Sequence, residues 1–448
     1  MSLSKIPAPP RPSSHARSAA AVWLTIAGAL LSACGGGGGG GSTSTSTSTP
    51  VATSPAPAPA VATPVTAPAA APVAVAVAAN VLPLTVDGGS DGSYVNGLFA
   101  SVTICPPGVT SNCQTVDRML VDTGSVGLRV VASALAAPVL NALPAQRGAI
   151  TDGGVNPLAE CAQFISGYTW GSVRVADARM SGESVASLPV QLIGDTSTVG
   201  PVPSNCSNAG GTSLNSVAAL GANGILGVGL FTNDCPACVA TPVVAAYYSC
   251  RTTGGCSPAR VPASVQVVNP VARLSVNNNG VVVTMPAIPT GGQPTAAGTL
   301  TFGIGTQSNN ALATSRILRT DANGFFQTSL NGTLYRSSFI DSGSNGFFFP
   351  SSTLPVCSSV WYCPGTTTTL TATMLDASDT TGQSAQAVSF DIGNFNAIAT
   401  SGNKAFNNLG GVASGTFDWG LPFFYGRTVY TAIQGRVAGS ATGPYFAF

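Results

Sequence analysis

The chain has 448 residues, 17 of them basic and 16 acidic, for a formal net charge of +1 at neutral pH. Beyond residue 33 its only lysine is Lys404, so no basic footprint for nucleic acid exists and that class of partner is excluded. Its one histidine, His15, lies near the start, which excludes Ser-His-Asp and Cys-His catalysis and histidine-ligated metal sites from the rest of the chain.

Residues 1–33 read as an export signal. Lys5, Arg11 and Arg17 form the positive region, and Ala19 to Leu31 is almost wholly apolar, too short for a comfortable membrane span and laid out as in a signal peptide. It closes on Leu31, Ser32, Ala33 and Cys34. This resembles the lipobox of bacterial lipoproteins, where cleavage precedes the cysteine and lipid is attached to its sulfur and its new amino group. Two anchors hold a protein stably on a bilayer. The resemblance makes Cys34 the expected lipidation site and, with Gly35 after it, the outer membrane the expected location.

Residues 34–80 read as a tether. Seven glycines, Gly35 to Gly41, precede a Ser-Thr alternation to Thr49 and a Pro/Ala/Val/Thr-rich stretch. Such a composition cannot bury a core. Extended at ~3.1 Å per residue, it reaches on the order of 100 Å.

From Val81 to Phe448 short apolar, β-rich runs alternate with Gly, Asn, Ser and Pro clusters, the pattern of a mostly antiparallel all-β protein. Its length implies two cores, here drawn as lobes 81–240 and 241–448. Ten cysteines follow Cys34, an even number in an exported chain, which points to disulfides. Proximity suggests Cys105–Cys113 and Cys357–Cys363, and Cys161–Cys206 is a further expected pair. Cys235, Cys238, Cys250 and Cys256 can pair in three ways or bind zinc, and disulfides suit the compartment better.

The chemistry is carried by an internal repeat. Met119-Leu-Val-Asp122-Thr-Gly-Ser125-Val-Gly-Leu128 is matched by Ser338-Phe-Ile-Asp341-Ser-Gly-Ser344-Asn-Gly-Phe347, the aspartates 219 residues apart. Apolar residues place each aspartate at the end of a buried strand, and Gly124 and Gly343 allow a sharp turn and close approach. Thr123 and Ser342 can bond across a pseudo-twofold axis, and Ser125 and Ser344 can donate to the carboxylates. Two carboxyls so close share one proton, so one acts as general base on water while the other polarises a carbonyl.

The repeat and its flanks resemble the pepsin-like aspartic protease family. Tyr94 to Cys105 followed by Gln114 to Ser125 is similar to the entry hairpin leading into the first catalytic loop, and Gly224-Ile-Leu-Gly-Val-Gly229 to the segment threading beside it. Gly298 to Ser344 is similar to the start of the second lobe, and Phe417 to Tyr430 to the closing segment. The resemblance covers about residues 83–448. It implies a bilobal fold, two β-barrel-like lobes with a cleft between them, and a monomeric endopeptidase for peptide or protein substrates, with Asp122 and Asp341 catalytic and no metal or organic cofactor. The lipobox and glycine stalk also resemble an uncharacterised family of proteobacterial lipoproteins.

The likeness has departures. The family's flap tyrosine corresponds to Tyr168, with Phe164 as the other occupant, but the residues after Tyr168 differ from the usual pattern. The tryptophan expected seven residues after the first aspartate is Arg129, whose guanidinium either binds an anion or carboxylate or extends to solvent. Phe347 is expected among the apolar pocket walls. The competing readings are a non-catalytic envelope or surface protein that holds peptide or glycan in the same cleft, and a purely structural lipoprotein.

Overall fold

A computed structural model describes residues 78–251, 255–312, 316–358 and 360–448. The export signal, Cys34 and nearly all of the tether lie outside the described residues. Two sheets dominate, one of sixteen strands and one of nine. Among the described residues no helix is long and apolar enough to cross a membrane.

The first sheet includes β1 (Val81–Asp87), β2 (Gly97–Cys105), β3 (Gln114–Asp122), β4 (Val126–Val131), β5 (Leu158–Phe164), β6 (Gly167–Met180) and β7 (Glu183–Ile193). β1 shows why these runs are strands: Leu82, Leu84 and Val86 are buried while Pro83 and Thr85 are exposed, the period-two pattern of a sheet with one covered face. β4 is buried at all six positions, because it lies against strands on both edges and is covered on both faces.

The sheet runs past the expected lobe boundary at residue 240. Tyr247–Cys250 pairs with β5, and Ala296–Phe302 pairs with β1. The second sheet is built from strands between Phe326 and Trp419. Where length implies two cores, the largest group of buried apolar side chains is continuous and draws on both sheets, from Leu82 and Leu128 to Phe349 and Trp419. Phe347 belongs to this core. It is 2% exposed and packs on Phe390 and Trp419, so it is no pocket wall.

The repeat in the sequence becomes a repeat in topology. Gly224–Val228 pairs in parallel with β3 and antiparallel with β4, filling the space between the strands that flank the first aspartate loop. Phe417–Trp419 does the same in the second sheet, parallel to Thr333–Ile340 and antiparallel to Phe347–Phe349. Gly227 is required there, since a Cβ would lie 2.8 Å from the main chain of Val126 and Gly127.

Among the described residues five disulfides form. Cys105–Cys113, Cys161–Cys206 and Cys357–Cys363 match the expected pairs. The remaining four cysteines, for which zinc was the alternative, pair as Cys235–Cys238 and Cys250–Cys256.

Candidate active site

β3 delivers Asp122 and the strand Thr333–Ile340 delivers Asp341, and both side chains are buried, at 7% and 6% exposure. The loops are near copies in their bonding. Asp122 Oδ1 accepts the Gly124 and Ser125 N–H groups at 2.8 and 3.1 Å, and the Ser125 hydroxyl donates to Oδ2. Asp341 Oδ1 accepts the Gly343 N–H at 2.7 Å, and the Ser344 hydroxyl donates to Oδ2 at 2.9 Å.

The loops grip each other through the residues after the aspartates. Thr123 N–H donates to Ser342 Oγ at 3.1 Å, and Ser342 N–H donates to Thr123 Oγ1 at 2.9 Å. The two hydroxyls then donate onward, Ser342 to Val121 O at 2.8 Å and Thr123 to Ile340 O at 3.3 Å. Every buried donor in the grip therefore has an acceptor.

This grip brings the carboxyls against the opposing glycines. A Cβ on Gly124 would sit 2.6 Å from Asp341 Cγ, and one on Gly343 would sit 2.7 Å from Asp122 Oδ1. Burial, then the charge and hydrogen bonding of Asp122, push the Asp341 carboxyl well above the ordinary aspartate range, against the Gly343 and Ser344 donors. One carboxyl of the pair therefore keeps its proton while the other ionises. The Tyr94 phenol is pushed up to about 12 by burial and then by the charges of Asp122 and Asp341, and its ring packs edge-on against Phe99. Beside Thr123 and Gly124 opens an apolar hollow walled by Leu230, Phe231, Phe325 and Phe339.

Tyr168 is not brought to the aspartates. It opposes Gln163 across the β5–β6 hairpin and packs with Trp170, Tyr248 and the Cys161–Cys206 disulfide. Side chains alternate along a strand, so Phe164, next to Gln163 on β5, lies on the other face from Tyr168, and there the Arg129 guanidinium sits 5.8 Å from its ring centroid.

Arg129 does not reach solvent. It is 0% exposed, with Nη2 2.5 Å from Glu160 Oε1 on β5 and 3.3 Å from Asp234 Oδ2, and Nη1 donating to Val126 O at 2.6 Å. Burial alone would lower its pKa, but Glu160 and Asp234 outweigh that and raise it. Asp234 is pushed well above the usual range by burial and then by Glu160, against the pull of Arg129. Tyr247 donates its hydroxyl to Asp234 and accepts the Val267 N–H at 2.7 Å. This cluster ties the root of the Phe164 hairpin to the strand that leaves the first aspartate loop.

Sequence reasoning left out Tyr94, Glu160, Asp234 and Asp418. Asp418 is an acid inside the apolar run Phe417–Trp419, buried at 3% exposure. An acid at the centre of a strand with aromatic neighbours was the available signal for it.

Among the described residues no group of three or more His, Cys, Asp or Glu side chains is arranged to hold a metal ion. A family model described as a protein of unknown function (DUF3443) matches residues 76–448. A search of curated proteins finds no match.

Proposed function

The chain belongs to the DUF3443 family, and we propose that it is a pepsin-like, bilobal aspartic endopeptidase. The observation that carries the reading is the pair itself. Asp122 and Asp341 come from two loops of matching hydrogen bonding that grip each other through Thr123 and Ser342, and burial beside Asp122 raises the Asp341 carboxyl. An isolated structural aspartate gains nothing from a second buried carboxyl at its back, because like charges destabilise each other.

In the proposed reaction a peptide lies extended across the pair. Asp122 takes a proton from a bound water as the water oxygen attacks the scissile carbonyl carbon, and the protonated Asp341 donates to the carbonyl oxygen. The tetrahedral intermediate collapses as the C–N bond breaks: the amine takes the proton held by Asp122, and a hydroxyl of the intermediate returns its proton to Asp341. The apolar hollow beside Gly124 suits a small apolar group of the substrate. Phe164 takes the part first given to Tyr168, the hairpin side chain facing the substrate, held from behind by Arg129. With the expected lipid on Cys34, the enzyme is a monomer tethered to the outer membrane within the cell envelope.

The second reading, a binding protein for peptide or glycan, is favoured by the placement of Tyr168 with the Cys161–Cys206 disulfide, which leaves the hairpin without its expected hydroxyl. Digestion of a diverse peptide mixture separates the two. Cleavage sites are read by mass spectrometry across roughly pH 3 to 7.5, the range in which a coupled carboxyl pair titrates, beside Asp122→Asn and Asp341→Asn proteins. Cuts made by the wild type and lost in both variants are expected. Saturable binding with no cut at any pH, or full activity in either variant, overturns the peptidase.

A further inference from the structure

The tip of the β5–β6 hairpin overhangs its neighbour in the sheet. β7 follows β6 only as far as Gly171, which stands level with Ile193, so the β6 edge at Gly167 and Tyr168 is left for another segment. Residues 212–215 take it. Thr212 and Ser213 run parallel to Gly167 and Tyr168, Leu214 N–H donates to Tyr168 O at 2.8 Å, and Trp170 N–H donates to Asn215 Oδ1 at 2.6 Å. The main chains touch with no side chain between them: a Cβ on Gly167 would collide with Thr212 O, and one on Gly211 would lie 2.5 Å from Gly167 Cα. Two strands alone are marginal in water, and a third strand is what makes such a ribbon stable.

Both faces of the hairpin are held as well. On one, the Cys161–Cys206 disulfide joins β5 to the segment that leads into residue 212. Gln163 Nε2 donates to Cys206 O at 3.3 Å, and the Trp170 indole N–H donates to Gly200 O at 3.1 Å. Tyr168 and Trp170 are buried there with Tyr248. On the other face, Phe164 packs against a group of buried side chains that includes Phe99, Leu120, Leu214 and Ile225. Leu120 and Asp122 are two apart on β3 and so share a face of the sheet, which sets Phe164 over the strand that delivers the first aspartate. Lifting the tip would break these hydrogen bonds together and bring Trp170 into water, while the disulfide keeps β5 from leaving.

We propose that the β5–β6 hairpin is a fixed wall of the substrate site and not a lid, with Asn215 and the Cys161–Cys206 pair as positioning residues that hold Phe164 in one place before and after a peptide binds. That Phe164 meets a substrate rests on the peptidase reading; the immobility of the hairpin does not. A wall already in place costs a bound peptide no ordering of the protein. Loosening it adds that cost to binding and leaves the seated peptide to react as before, so KM rises while kcat holds. The brace also accounts for Tyr168, whose ring is spent on holding the hairpin and is therefore absent from the aspartates.

The test is site-resolved hydrogen exchange of the full-length chain, paired with cleavage kinetics on whichever peptide of the digest is cut best. In the free wild type the Trp170 and Leu214 amides are expected to exchange at least about 1,000-fold more slowly than in an unfolded chain. Asn215→Ala removes the acceptor of the Trp170 N–H and should speed its exchange and raise KM by about 3- to 10-fold, the worth of one hydrogen bond, with kcat unchanged. Asn215→Asp keeps an acceptor oxygen and should restore both. Double serine replacement of Cys161 and Cys206 should speed both amides and raise KM, whereas the same change at Cys105 and Cys113 should do neither. Trp170 and Leu214 amides that exchange at nearly unfolded rates in the free wild type overturn the proposal, as does a fall in kcat at constant KM in Asn215→Ala. Should the Cys161 and Cys206 variant fail to fold, the Asn215 proteins still decide it. If no protein cleaves peptide while the amides exchange as expected, the peptidase reading fails and the fixed hairpin stands.

Discussion

Replacing Arg129 by methionine removes the one cation from the buried cluster it forms with Glu160 and Asp234, a cluster with side-chain exposures of 1–3%. Methionine keeps much of the stem's packing, so the loss is mainly electrostatic. Two carboxyls are left facing each other without the guanidinium. Breaking a buried ion pair from one side costs about 3 to 5 kcal/mol, a large share of the about 5 to 15 kcal/mol that holds a typical protein folded. The deficit has a definite pH dependence. Asp234 is already raised, and without Arg129 it rises further, so above the unfolded value of about 4 the folded chain binds more protons than the unfolded one. Stability of the variant therefore falls as pH rises, and its deficit is larger at pH 7.5 than at pH 5. Urea denaturation followed by tryptophan fluorescence at both pH values measures this. A double variant with Glu160→Gln should recover part of the loss, since the repulsion is gone. A deficit below about 1 kcal/mol at pH 7.5, or one that grows on acidification, would refute the reasoning.

Further tests address the glycines and the cross-links. Gly343→Ala places a methyl 2.7 Å from Asp122 Oδ1; overpacking of this kind costs about 1 to 3 kcal/mol, and the displaced carboxyl should lower peptide cleavage by about 100-fold. A crystal structure of that variant with an undisturbed pair would contradict this. Cys161–Cys206 closes a loop with a sequence separation of 45 and Cys235–Cys238 one with a separation of 3. Double serine replacement should cost about 4 kcal/mol at the first pair and about 2 kcal/mol at the second, read from denaturation midpoints, with the order of the two as the criterion.

How much of this was legible in the sequence depends on how local each feature is. The all-β class shows in alternations such as Leu82, Leu84 and Val86, because a half-covered strand writes its environment into every second residue. Two disulfides, Cys105–Cys113 and Cys357–Cys363, were legible from proximity, whereas the pairing of Cys235, Cys238, Cys250 and Cys256 needed coordinates. The aspartate repeat was visible because its bonds to Gly124, Ser125, Gly343 and Ser344 fall within three residues. Arg129 was recognised as a departure, but its partners are 31 and 105 residues away, and nothing in the local pattern points to them. Tyr168 shows a different limit. Counting along the chain from Asp122 finds the right hairpin but not which face a side chain takes, and in a strand an offset of one residue reverses the face.

The reciprocal grip of Thr123 and Ser342 also has a temporal consequence. Each loop lacks half of its partners until segments 219 residues apart have met, and contacts of such long range form slowly. A partly folded chain therefore carries two ordinary aspartates, each free to lose its proton alone. The shared proton comes into being with that contact, so the acid pair is absent from every intermediate in which the two loops are still apart.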